Sequence, residues 1–157
     1  MKFKLPTLTT SIIICLVVGY ILGALSQKAE ASEEDLTYMA EAIYFEARDQ
    51  AIVGQVAVGC TILNRAIKKN WPNSIREVVH QRKQFSYYSD GKPEVFNDKK
   101  AHYIAWTVSD KVLNSNICDM FDGVDHYLNK NLSPATWYKS MEFIITVGDH
   151  SFYKRDK

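Results

Sequence analysis

Residues 32–67 read SEEDLTYMAEAIYFEARDQAIVGQVAVGCTILNRAI, and the spacing of their apolar side chains predicts two amphipathic helices. Ser32 and the three acidic residues after it are typical of a helix start, because the hydroxyl can cap the first turn and acids interact favourably with the helix dipole. The buried face of the first helix consists of Leu36, Met39, Ala40, Ile43, Tyr44 and Ala47. The second helix, from about 52 to 67, has a core stripe of Val56, Cys60, Leu63 and Ile67.

The rest of the chain adds shorter helices and strands to this pair. Residues 71–74 break the chain and start a short helix, and 98–113 form the next long helix. Between them, the dipeptide Asp90-Gly91 predicts a hairpin-type turn. Short strands are predicted at 124–128 and 143–147. Helices with small β elements indicate the α+β class.

An uncharged, largely apolar stretch precedes the first helix. It lies between Lys4 and Lys28, and the small-x-small motif Ala29-Glu30-Ala31 follows it. A basic start, an apolar run and such a motif are typical of an export signal, although the run is also long enough to span a bilayer. We therefore expect residues 1–31 to be a signal peptide or a helical membrane anchor, with 5–27 in the inner membrane if uncleaved. In both cases residues 32–157 would form a domain delivered outside the cytoplasm.

Composition and charge exclude several classes of protein. Apolar residues make up 46% of the 157 residues and the formal net charge is +1. A disordered tail is excluded, and nothing in the charge favours a nucleic-acid partner. We expect a monomer. Cys60 and Cys118 could form a disulfide in an oxidising compartment or remain two buried thiols, and the spacing leaves both open.

Glu46 is the first candidate for catalysis. On a helical wheel it lies about 80° from the centre of the apolar face, whereas Glu41 lies about 140° away. An acid at the edge of an apolar face can be partly desolvated, which favours the protonated form that a general acid needs. The alternative is a surface glutamate paired with an arginine such as Arg48.

Several short motifs follow one another along the chain. They are Ala42-Ile43-Tyr44-Phe45-Glu46-Ala47-Arg48, the run from Gly54 to Arg65, Trp71-Pro72-Asn73, Val78-Val79-His80-Gln81, Gln84-Phe85-Ser86, Gly123-Val124-Asp125-His126-Tyr127-Leu128-Asn129, Trp137, and Gly148-Asp149-His150-Ser151-Phe152-Tyr153. Each motif is short, but the ordered set resembles the SleB-type cell wall hydrolases, which include spore-cortex lytic enzymes. The resemblance extends from about Leu36 to Tyr153.

The resemblance implies a lysozyme-like, lytic-transglycosylase-like fold that acts on peptidoglycan glycan strands. It assigns the family's catalytic glutamate to Glu46. The family usually continues Gly-Glu after Glu-Ala-Arg, whereas this chain has Asp49-Gln50. A single glutamate suffices for a transglycosylase, which forms a 1,6-anhydro product. A hydrolytic muramidase would normally need a second carboxylate, and Asp49, Asp122 or Asp125 could be nominated.

Polar and aromatic residues of these motifs are candidates for binding the glycan. Gln84, Phe85 and Ser86 could line a groove, and Tyr127 and Asn129 share one face of a predicted strand, opposite His126. His150 is a further candidate. For each of these residues, a local packing role is the alternative.

Two other functions compete with this prediction. The pairs Asp125-His126 and Asp149-His150 could suggest a zinc-dependent amidase, but they lack helical ligand spacing and no His-Glu-x-x-His motif is present. We therefore expect neither a metal nor another cofactor. The second alternative is a non-catalytic peptidoglycan-binding protein, since Gln50 departs from the family pattern.

Overall fold

The computed structural model describes residues 31–89, 91 and 93–155. The predicted signal or anchor lies outside the described residues, apart from Ala31. Ala31–Lys157 form one compact unit. Within the described ranges, no helix is both long and apolar enough to cross a membrane.

Five α-helices are present in the described residues: α1 (Glu33–Ala47), α2 (Ile52–Ile67), α3 (Ile75–Val79), α4 (Ser86–Ser89) and α5 (Lys99–Asn114). Short polar side chains start three of them, as hydrogen-bond acceptors for amides of the first turn. Ser32 Oγ accepts from the Asp35 amide, Ser74 Oγ from Glu77, and Asp98 Oδ1 from Ala101. The predicted helices at 32–47, 52–67, after 74 and near 98–113 are thus confirmed.

The predicted hairpin around Asp90-Gly91 is wrong. The residues before it form α4 instead of a strand. Phe85 is 1% exposed and Tyr87 9%, and the Tyr87 ring stacks on Phe45 of α1 with centroids 4.7 Å apart. Burial of these rings against the helical core holds this segment in a helical turn.

Helix α2 lies at the centre of the core, with α1 and α5 packed against it. Nine successive residues, 54–62, are buried. At Gly59 a Cβ atom would lie 3.0 Å from Val112 of α5 and 3.1 Å from Ile43 of α1. Glycine at this position therefore lets three helices approach closely.

A three-stranded antiparallel sheet packs beside the helices. It consists of β1 (His126–Leu128), β2 (Glu142–Val147) and β3 (His150–Lys154), in the order β1-β3-β2. The turn between β2 and β3 contains Gly148 in the left-handed region, with φ of +56°. The predicted strands at 124–128 and 143–147 are confirmed, and β3 was not predicted. Helices with a small sheet confirm the α+β class.

A disulfide joins Cys60 in the middle of α2 to Cys118, with the two Cα atoms 5.4 Å apart. Of the two alternatives that the sequence left open, the structure therefore has the disulfide. The bond closes a loop of 58 residues in sequence. It ties the segment that leads into β1 to the central helix.

Candidate active site

A groove of about 900 Å³ lies where the helices meet the sheet. Helices α1 and α2 contribute one charged residue each, and the other residues come from the loop before α4 and from the chain that runs from β1 to the residue after β3. The lining consists of Glu46, Arg65, Lys83, Gln84, His126, Tyr127, Leu128, Asn129, Leu132, Ser133, Pro134, Trp137, Met141, His150 and Arg155. The groove is open and mixed in polarity, as sugar-binding clefts are.

Glu46 lies in the last turn of α1 and is partly buried. The hydroxyl of Tyr127 donates a hydrogen bond to its Oε2 atom at 3.2 Å. Tyr127 belongs to β1, so this bond joins the helical and sheet portions of the site. A carboxylate fixed in this way faces the groove from a rigid helix.

Tyr127 stays protonated, so its hydroxyl remains a hydrogen-bond donor to Glu46. Burial raises the pKa of its phenol well above the ordinary value, and the negative charge of Glu46 raises it further. The ring packs edge-on against His150, with centroids 5.2 Å apart, and tilted against Phe152 at 5.7 Å. The phenol therefore keeps its proton and its position.

Arg65 places a buried cation next to these two residues. Its side chain is 4% exposed, and Nε donates to the backbone oxygen of Asp125 at 2.7 Å. The guanidinium carbon lies 4.3 Å from the centre of the Trp71 ring, in cation–π contact. Burial lowers the pKa of Arg65, while Tyr127, Asp125 and Glu46 oppose that shift. An arginine remains charged under such conditions, so the site contains a fixed positive charge.

A chain of hydrogen bonds fixes the tautomer of His126. Its Nδ1 lies 2.8 Å from Asp125 Oδ1, and its Nε2 lies 3.2 Å from Arg155 Nη2. Because a guanidinium can only donate, Nε2 accepts and the ring proton is on Nδ1, donated to Asp125. The ring also lies between Trp71 and Trp137, at centroid distances of 5.4 and 5.3 Å. His126 is therefore held as part of the groove wall.

Asp125 anchors this network from below the groove. Its side chain is 2% exposed and also pairs with Lys68 Nζ at 2.8 Å. Burial alone would raise the pKa of Asp125, but hydrogen bonds from His126, Lys68 and the Arg155 amide outweigh burial and hold the pKa well below its ordinary value. The residue is an ionised structural acid that does not line the groove.

Six of the eight candidate site residues meet in the groove: Glu46, Gln84, His126, Tyr127, Asn129 and His150. Phe85 is not among them, because its ring is 1% exposed and belongs to the core. Ser86 begins α4, and its side chain lies outside the described part of the structure. His126 shares the groove with Tyr127 and Asn129, although strand alternation assigned it to the opposite face. β1 is only three residues long, so the alternation does not extend across the whole motif.

His150 approaches the groove from β3. Burial lowers the pKa of its imidazole, while the carboxylates of Asp149 and Asp49 partly oppose that shift, so the ring is neutral at pH 7. Its buried Nδ1 atom has no hydrogen-bond partner among the described residues. The ring therefore lines the groove as a neutral group, while its Nδ1 atom is buried.

Gln50, which departs from the family motif, bonds to the turn before β3. Its Nε2 donates to Asp149 Oδ2, and its Oε1 accepts from the Asp149 amide, both at 3.2 Å. A glutamate at this position could accept from the amide, but its second oxygen would face the Asp149 carboxylate. The amide side chain therefore fits this turn.

Arg65 and Arg155 are groove residues to which the sequence assigned no role in binding. Arg65 carried a usable signal, because an arginine on the inner face of an apolar helix is almost never fully buried unless it is paired. Arg155 carried none, since its position depends on strand pairing. No group of three or more His, Cys, Asp or Glu side chains in 31–89, 91 and 93–155 is arranged to hold a metal.

The model of the Cell Wall Hydrolase family, Hydrolase_2, matches residues 49–153. The chain belongs to this family. The family match begins three residues after Glu46, and it includes every other residue in the groove except Arg155.

Relatives of known identity agree with the cell wall hydrolase family. A spore cortex-lytic enzyme of Halalkalibacterium halodurans is 33% identical over 121 residues, which are 77% of this chain and 35% of the relative. A spore cortex-lytic enzyme of Bacillus cereus is 26% identical over 129 residues, which are 78% of this chain and 45% of the relative. The chain thus spans about a third to just under half of the length of these relatives.

A solved structure of the family has a similar fold. It is the catalytic domain of the germination-specific lytic transglycosylase SleB from Bacillus anthracis, with a TM-score of 0.65 and 26% identity. The similarity covers 82% of this chain and 100% of that domain.

Proposed function

We propose that this chain degrades peptidoglycan as a lytic transglycosylase that cleaves the bond between N-acetylmuramic acid and N-acetylglucosamine. The observation that carries the proposal is that Glu46 is the one carboxylate among the described residues of the groove. A transglycosylase needs a single acid that later acts as a base. The family and the similarity to a lytic transglycosylase domain support the same reaction class.

Glu46 would donate one proton to the substrate and later accept one from it. As an acid, it protonates the bridging oxygen, and the bond from that oxygen to C1 of the muramic acid breaks. As a carboxylate, it then removes the proton from the C6 hydroxyl of the same sugar while O6 bonds to C1. Glu46 ends protonated, no water is consumed, and the product carries a 1,6-anhydro ring.

Tyr127 and Arg65 suit the second half of this cycle. The Tyr127 hydroxyl donates to Glu46 Oε2, so it stabilises the carboxylate that forms when Glu46 gives up its proton. Arg65 adds a buried positive charge, and the negative charge of Glu46 raises the pKa of this guanidinium. Both groups are in place before the substrate binds, so no reorganisation is required during the reaction.

The positions of the other nominated acids support a transglycosylase over a hydrolase. Asp125 is buried and bonded to Lys68 and His126. Asp122 lines a different concave surface. Asp49 is exposed and is not part of the groove lining. A hydrolase would require a carboxylate across the bond from Glu46 to activate water or act as a nucleophile.

The proposed substrate also defines where the protein works. Peptidoglycan lies outside the cytoplasm, so we propose export to the cell envelope, with residues 5–27 as an inner-membrane anchor if they are not removed. We also propose that the chain acts as a monomer, because one chain supplies the whole groove.

Mass spectrometry of fragments released from purified sacculi tests the proposal. Wild type should release products that end in 1,6-anhydro-muramic acid, and Glu46→Gln should lower the release by at least about 10²-fold, because glutamine cannot transfer a proton. Glu41→Gln is the matched control, since Glu41 is a partly buried acid of the same helix outside the groove. It should retain wild-type release.

The other products would each point to another function. Reducing muramic acid ends would establish a muramidase with a water-activating partner. Free stem peptides would establish an amidase, and sensitivity to EDTA would then indicate zinc. No release, with sacculi still bound, would indicate a binding protein.

A further inference from the structure

A second concave surface, about 470 Å³ in volume, lies beside the groove. Four cationic side chains line it, those of Lys68, Lys69, Lys154 and Arg155. Arg155 also lines the groove that contains Glu46, so the two surfaces meet at this residue. We call the surface defined by these four residues the basic pocket.

The basic pocket has an excess of positive charge. Asp125 and Asp122 also line it, but the Asp125 carboxylate is already bonded to Lys68 Nζ at 2.8 Å. Three positive charges, on Lys69, Lys154 and Arg155, then remain in the lining, with the one negative charge of Asp122. Lys154 Nζ lies 3.1 Å from a carboxylate of β2, in an ion pair whose two side chains are both more than one-third exposed. Such exposed pairs are weak and can exchange for a ligand anion.

The wall of the basic pocket depends on local backbone shape. Gly123 has φ of +71°, and a Cβ atom there would lie 3.1 Å from Lys154 Cδ. The glycine thus lets the Lys154 stem lie flat across the chain before β1. Trp71 forms another part of the wall, and its indole is held by the Arg65 guanidinium at 4.3 Å.

We propose that the basic pocket binds the carboxylates of the peptide branch that a muramic acid residue carries when a glycan strand lies in the groove. This inference rests on the proposed function. The branch is attached to the sugar by a short ether-linked acid, so it must lie on a surface next to the groove. Arg155 belongs to both surfaces, and the branch ends in carboxylates that are ionised at neutral pH. Phosphate-rich wall polymers offer similar anions, so binding of such a polymer is the competing outcome.

Equilibrium binding to the inactive Glu46→Gln chain tests the inference without requiring cleavage. Fluorescently labelled glycan fragments of equal length are compared in three forms: with peptide branches, with the branches removed, and with the branch carboxylates amidated. The full chain is used in a mild nonionic detergent. The branched form should bind at least about fivefold more tightly than the other two, and raising the salt from about 0.05 to about 0.5 M should reduce that preference.

Two double variants, made in the Glu46→Gln chain, locate the effect. Lys69→Gln with Lys154→Gln should lower the preference for branched fragments by at least about fourfold or abolish it. Lys99→Gln with Lys100→Gln removes the same charge from exposed lysines at the start of α5. This control pair should leave the preference unchanged.

The outcomes separate the inference from the proposed function. Equal binding of all three fragments, or a preference that both double variants lower equally, would overturn the inference while anhydro products from the active chain keep the proposed function. Lysine-dependent binding of a glycerol-phosphate polymer, together with no effect of amidation, would overturn the branch as the ligand. A lysine-dependent preference in a chain that releases no anhydro product would support binding of the branch by the basic pocket. It would rule out the proposed transglycosylase activity.

Discussion

Asp125→Asn should destabilise the protein by an amount that depends on pH. The wild-type carboxylate accepts hydrogen bonds from Lys68 Nζ and His126 Nδ1, both at 2.8 Å, and from the Arg155 amide at 3.1 Å. Removing one partner of a buried charge pair costs about 3–5 kcal/mol. The Lys68 side chain is 30% exposed and can regain water, so we expect the lower end, about 3 kcal/mol at pH 7.

The difference between wild type and this variant should shrink in acid. The folded pKa of Asp125 is well below its ordinary value, so the stabilisation is complete above the unfolded value of about 3.9 and is lost as the pH falls toward the folded value. At pH 3 the unfolded wild type has bound most of a proton while the folded protein has not. This removes about 1.3 kcal/mol of the difference.

Urea unfolding at pH 7 and pH 3 measures both quantities in the full chain. Asp122→Asn is the matched control, because Asp122 is an exposed acid three residues earlier, and it should change stability by less than about 0.5 kcal/mol. The reasoning is refuted if the loss for Asp125→Asn is the same at both pH values, or if the control loses as much.

Three further predictions concern the disulfide, the hydrogen bond to the catalytic acid and the close packing of the helices. Replacing both Cys60 and Cys118 with alanine should lower the free energy of unfolding by about 4 kcal/mol, from the loop-closure entropy of 58 residues; a melting temperature equal to that of wild type would contradict this. Tyr127→Phe should lower kcat/KM about tenfold by removing one charge-assisted hydrogen bond to Glu46, while the melting temperature stays close to that of wild type because the ring remains. Unchanged fragment release would rule out that role. Gly59→Ala should cost about 1–3 kcal/mol by overpacking, and a stabilised protein in thermal denaturation would show that the neighbouring helices relax freely.

Most of the helical architecture could be predicted from the sequence, because its signals are local. Apolar spacing and capping residues lie within a few positions of each helix start, as Ser32 and Ser74 illustrate. The segment around Asp90-Gly91 could not be predicted, since the burial of Phe85 and Tyr87 against distant helices decides its shape. Strand β3 was missed for a related reason, because its pairing is with residues that are remote in sequence or across a tight turn.

The candidate site divides in the same way. Glu46 could be identified from a helical wheel and a motif, and the motif around Tyr127 identified a second segment. Their contact could not be foreseen, because 81 residues separate them along the chain. The same holds for Arg155, which reaches His126 only through the pairing of β1 with β3.

The strand order has a consequence for how the groove is assembled when the chain folds. β3 follows β1 and β2 in sequence, yet it is the central strand, paired with β1 on one side and β2 on the other. Until residues 150–154 join the sheet, neither earlier strand has its neighbour, although α1 and α2 contain Glu46 and the core of the helical portion. A chain truncated after Val147 would therefore retain the acid and the Tyr127 hydroxyl without the strand that pairs with β1. Completion of the site depends on the docking of β3 and not on formation of the helices alone.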